Sequence, residues 1–244
     1  MKKIRIIALM LAALMIFAIP AAAAEAETKT NLNVGYTAGF FLGGVDPQAL
    51  STMSIPFGEL MLIYDPIFYL DSETGEMTSD ILEDWYYSDD YLTLTLVVKD
   101  GVTFSNGDVM DAQDILYAVQ RSAASHTGGS YYAYFDLDKC KVSEDGKSVD
   151  LVYTSVFGPG IRELTCVVGD YDFLKEYADD ESTDWYDISL AVGSGPYKLK
   201  EWVSNDHATL VRNELYWDKD NAGYYDTLEF YFIPDAASRV NALK

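Results

Sequence analysis

Cysteine and histidine are scarce in this chain. Each occurs twice among 244 residues, as Cys140 and Cys166 and as His126 and His207. The absence of a Cys-x-x-Cys pair excludes a dithiol redox motif and a cysteine zinc framework. A His-based triad or multi-His metal site would have to use His126, His207 or both, and neither has metal-ligand spacing. Glycine-rich phosphate loops are missing as well. Gly193-Ser194-Gly195 lacks the flanking residues of a nucleophile elbow. No catalytic residue, metal ligand or cofactor site is therefore expected. Cations are also few: 17 Lys and Arg stand against 39 Asp and Glu, a formal charge of −22. That balance disfavours nucleic acid and anionic membrane surfaces as partners.

The first residues differ from the rest. Lys2, Lys3 and Arg5 precede an apolar run from Ile6 to Ile19, with Pro20 and Ala22-Ala23-Ala24 after it. This reads as a signal peptide over residues 1–24. The run is shorter than the about 20 apolar residues a membrane span needs. No cysteine lies near the cleavage position, so no lipid anchor is encoded there. The expected location is periplasmic or extracellular. That compartment permits a Cys140–Cys166 disulfide, and two buried free thiols remain the other reading.

Beyond the leader, 49% of residues are hydrophobic and 14% aromatic, with 19 Tyr. This is enough apolar surface for a packed core. Leu32 to Tyr36 reads as a strand, and Ile55 to Ile63 has helical spacing. Ile67 to Leu70 reads as a strand before the turn Asp71 to Gly75, and Ile81 to Trp85 as a helical turn or bend. Leu92, Leu94 and Leu96 alternate with Thr93 and Thr95, the mark of a half-buried strand. A helix begins at Asp111, a good N-cap, with Asp114 near the capping-box position. Cys140 to Ser143 and Ser148 to Thr154 form a hairpin around Glu144 to Lys147. Short helices are expected over Ile161 to Leu164 and Asp172 to Ala178. Strands are expected over Tyr197 to Trp202, Ala208 to Arg212 and Thr227 to Ile233, and a last helix follows the cap Asp235. This short helix has no glycine stop, so it reads as an interrupted element, with a frayed natural end as the alternative. Short strands with interspersed helices indicate a mixed α+β, or α/β, fold.

Three segments, in order, resemble the family 5 bacterial extracellular solute-binding proteins. The first runs from Leu92 through Lys99-Asp100-Gly101-Val102-Thr103-Phe104-Ser105-Asn106-Gly107 into Asp111 to Arg121. It is similar to the family's strand, K-x-G-V-x-F-x-D-G turn and T-A-x-D-V helix, with Asn106 for the usual Asp and Asp111 for the usual Thr. The second is Gly193 to Leu199, with Trp202 and Arg212-Asn213-Glu214-Leu215-Tyr216-Trp217. The third is Ile233-Pro234-Asp235-Ala236-Ala237-Ser238-Arg239. A weaker match is Asp46-Pro47.

The resemblance implies a periplasmic-binding-protein type II-like, two-lobed clamp with an inserted β-rich subdomain. Residues 31–64 and 187–244 would belong to the large lobe and 65–186 to the insert, with the second lobe missing from this chain. It implies a monomer that captures a small solute, a peptide first among candidates, for ABC permease subunits. Ser51, Thr52 and Met53, after Asp-Pro, match a ligand-contacting region of peptide-binding relatives, and Tyr131 and Tyr132 the neighbourhood of a contacting tyrosine. A secreted acidic hydrolase and a peptide-pheromone receptor on the same fold are the alternatives.

Overall fold

The computed structural model describes residues 31–37, 44–50, 60–125, 129–178 and 180–243. The expectations for the leader, for most of Ile55 to Ile63, for His126 and for Ser51 to Met53 fall outside those residues.

Two four-stranded sheets organise the described chain. In the first, β1 (Asn31–Tyr36) pairs in parallel with β10 (Thr227–Phe232). The sheet continues antiparallel through β9 (His207–Arg212) to β8 (Tyr197–Val203). Alternation sends Leu199, Ala208, Leu210, Leu228 and Phe230 to one face, where they meet Val45, Leu60, Ile63, Tyr64 and Val167. Glu229, Tyr231, His207 and Thr209 occupy the alternate positions. α5 (Ala236–Ala242) rests beside β1, with the Arg239 stem 3.6 Å from where a Cβ on Gly35 would lie. Asp235 caps this helix as expected, accepting the Ser238 N–H at 2.8 Å.

The second sheet is antiparallel, in the order β4 (Leu82–Tyr87), β5 (Thr93–Val98), β7 (Ser148–Val152), β6 (Lys141–Val142). The Leu94–Leu151 and Leu96–Val149 pairs are fully buried. Burying each such side chain stabilises the fold by roughly 1.5–3 kcal/mol before entropy is counted. α2 (Ala112–Ala124) packs on the same core with Ile115, Ala118 and Val119, none of them exposed. Its N-terminus is a complete capping box: Asp111 accepts from Gln113 N–H, and Asp114 accepts from Asp111 N–H. Gly101, Gly107 and Gly146 close the turns around this sheet at φ of 86°, 99° and 72°, a region that disfavours a side chain.

A short hairpin of β2 (Tyr69–Leu70) and β3 (Met77–Thr78) flanks the second sheet. α1 (Pro47–Leu50), α3 (Gly129–Tyr132), α4 (Tyr171–Ala178) and two 3-10 turns, Gly160–Glu163 and Ile188–Leu190, complete the described elements. One expectation is corrected. The segment Ile81 to Trp85 is not a helical turn but the start of edge strand β4. A register shift between Leu82 and Asp84 breaks its alternation.

The chain passes between the two sheets along adjacent segments. Ile67 N–H donates to Cys166 O and Val168 N–H to Asp65 O, each at 2.9 Å. Pro66 and Val167 form an isolated antiparallel bridge. Beside them Gly195 N–H donates to Ile63 O and Tyr197 N–H to Leu62 O. The approach is so close that a Cβ on Gly193 would stand 2.1 Å from Ile63 O. Only glycine fits there.

Candidate functional site

The segment before the expected solute-contacting residues is held with unusual completeness. Asp46 precedes Pro47 and accepts Gln48 N–H at 3.0 Å, a local turn typical of aspartate. Arg121, in the last turn of α2, approaches the same carboxylate as a fork: Nη1 to Oδ1 and Nη2 to Oδ2, both 2.9 Å. Nη1 also donates to Gln48 Oε1. The guanidinium lies over the rings of Trp185, 5.3 Å from its centroid, and Tyr117, at 5.7 Å.

Further bonds fix the backbone. Gln48 Nε2 donates to Val167 O at 3.2 Å, and Val45 N–H to Trp185 O at 2.7 Å. The Tyr64 hydroxyl donates to Val45 O at 2.9 Å, and burial, helped by the Asp46 charge, holds that hydroxyl protonated. Gly44 has φ of 83°, and a Cβ there would stand 2.3 Å from Trp185 O. Residues 44–48 are all buried.

The other expected site residues fall in different settings. Tyr131 lies in α3. Tyr132 is 5% exposed, its oxygen accepts the Cys166 N–H at 3.1 Å, and its ring stacks with Phe135. That side chain is engaged inside the second core. Cys140 and Cys166 are free, buried thiols, so the possible bridge is not formed. Each has its own surroundings. Cys140 Sγ takes the Val152 N–H and donates to Asp136 O. Burial pushes the Cys166 thiol up to about 11, well away from a reactive thiolate.

Two carboxyls missed by sequence reasoning are perturbed. Burial pushes Asp65 up to about 6, partly offset by Ser194 and Trp217. Its Oδ2 is buried without a hydrogen-bond partner, as is Trp217 Nε1. Burial pushes Asp114 up to about 7, although backbone N–H groups of Asp111 and Tyr171 pull the other way. The sequence carries no signal for either, because what surrounds them comes from distant segments. His207 is raised by its hydrogen bond to Asp206, with Glu201 contributing. Among the described residues no cluster of three metal-binding side chains exists.

Asn106, the departure noted in the turn motif, has a physical reason. Its amide donates to Asp108 Oδ2 and Asp170 Oδ2, both at 2.8 Å, while its Oδ1 accepts Asp108 N–H. Asp170 in turn accepts Phe173 N–H at the start of α4. An aspartate at 106 would set a third carboxylate against the other two.

Comparison with known proteins agrees with this architecture. The family model for bacterial extracellular solute-binding proteins, family 5 (middle), matches residues 76–244. The dipeptide-binding protein DppE of Bacillus subtilis is 30% identical over 152 residues, which is 57% of this chain and 28% of the relative. The nickel-binding periplasmic protein of Escherichia coli is 26% identical over 206 residues, 83% of this chain and 38% of that protein. The crystal structure of Haemophilus influenzae OppA in complex with the peptide RPPGFSPFR superposes with a TM-score of 0.71 at 19% identity. It covers 88% of this chain and 44% of that one. The chain thus spans less than half the length of these relatives.

Proposed function

The chain belongs to the family 5 bacterial extracellular solute-binding proteins, and from that membership we propose that it is the solute-capturing component of an ABC importer. The observation that carries this reading is the family match over residues 76–244, supported by relatives whose names specify dipeptide and nickel binding. In this reading residues 31–64 and 187–244 form part of one lobe and 65–186 an inserted subdomain. The solute is a short peptide held between this lobe and a second. Ser51, Thr52 and Met53 contact it, with Tyr131 nearby. Residues 1–24 direct secretion, the protein works as a monomer, and the closed clamp is presented to permease subunits. Closure is a hinge motion that the solute favours by binding the closed state more tightly.

Half a clamp forfeits most of the contacts that offset the cost of association. The test is calorimetry with short peptides on two samples, residues 1–244 and the product of the complete gene. Binding by the complete product, with millimolar or undetectable binding by residues 1–244, is the expected result. Release of product from a peptide or glycan by either sample would replace this reading with a hydrolase.

A further inference from the structure

Arg121 and Asp46 are 75 positions apart and sit on elements of different cores. Arg121 is on α2, which packs on the second sheet, while Val45 beside Asp46 belongs to the core of the first. Their side chains are 17% and 12% exposed. Desolvating an ion pair to this degree costs about what the attraction returns, so stability alone does not account for it. What a forked guanidinium–carboxylate pair supplies is direction, because two parallel bonds fix both distance and angle. Every other bond made by residues 45–48 points the same way. Trp185, Val167 and Tyr64 hold the backbone and the Gln48 amide, and the guanidinium is sandwiched by Trp185 and Tyr117.

We propose that Arg121 is a positioning residue for solute binding: through it the 65–186 segment sets where Gly44–Leu50 lies and so where Ser51–Met53 begins. This rests on the solute-binding reading above. It gives the inserted segment a role in affinity without any contact to solute.

The test uses Arg121→Ala and Arg121→Lys. Backbone amide exchange is read at Val45 and Gln48, whose N–H groups are bonded within the anchor. Leu94, Leu96, Leu210 and Leu228 in the two sheets serve as references. Exchange at Val45 and Gln48 should rise at least tenfold in Arg121→Ala with the reference amides unchanged. Lysine, which keeps the cation but cannot fork, should restore part of the protection. Unchanged exchange, or an equal rise at every amide, overturns the proposal. Binding of tetra-alanine to the complete gene product is then measured for wild type and both variants. A tenfold weaker Kd in Arg121→Ala at unchanged Tm supports the proposal, and equal affinity overturns it. If wild type binds no peptide, the functional reading fails separately, and amide exchange alone decides whether Arg121 holds the segment.

Discussion

The two sheets of this molecule are finished to different degrees. The second is closed on itself: Leu94, Leu96, Val149 and Leu151 face Ile115 and Val119 of α2, and all are fully buried. The first has a core on one face, while β1 alternates between exposed and half-buried positions and α5 has no buried residue. Val240 and Leu243 on and after that helix are 57% and 85% exposed. The lesson is that the described chain joins a self-sufficient core to a surface that presents itself outward. Removing side chains should hurt the two regions very unequally.

The largest effect is expected in the closed core. Phe104 has no exposure, and Phe104→Ala should cost about 3–5 kcal/mol through lost burial and a residual cavity. Denaturant unfolding measures it, and a loss under about 1 kcal/mol would mean that this core is looser than its burial implies. Next comes the crossing between the regions. The folded Asp65 carboxyl lies at about 6 against an ordinary 3.8, so the folded state binds this proton more tightly than the unfolded one. Stability from this group is present below about pH 4 and is lost as pH rises towards 6. Asp65→Asn should therefore stabilise the protein at pH 7, by at most about 3 kcal/mol, and give no benefit at pH 3.5. An identical pH profile for variant and wild type would remove Asp65 as the source. A smaller loss, about 1 kcal/mol, is expected for Asp111→Ala, which deletes one half of the capping box. Thermal unfolding together with helical circular dichroism reads it. The smallest is Val240→Ser on α5, expected within about 0.5 kcal/mol of wild type. A large loss there would show that the outward surface is packed after all.

Much of the framework was legible because its signals are local. Alternation marked β5, the capping residues marked α2 and α5, and Asp–Gly turns marked the β6–β7 hairpin. Edge strand β4 was missed because a bulge interrupts its alternation and its outer residues are charged. The candidate site was far less legible. Asp46-Pro47 stood out as a motif, but nothing in the sequence joins it to Arg121, and ion pairs across such separations leave no periodic trace. Tyr132 was chosen by resemblance, and its burial follows from Cys166 closing over its hydroxyl. Asp65 and Asp114 looked like ordinary acids because desolvation is a property of the assembled neighbourhood.

The bridge between Pro66 and Val167 has a consequence for how such a molecule is put together. A long excursion that leaves and returns through neighbouring strands has both feet on the same stone. The stretch between them can lengthen, shrink or be exchanged for another without re-routing the remaining backbone, since a tight turn would close the gap. The price is concentrated at one spot, where glycines at 193 and 195 leave no room for a single added methyl group.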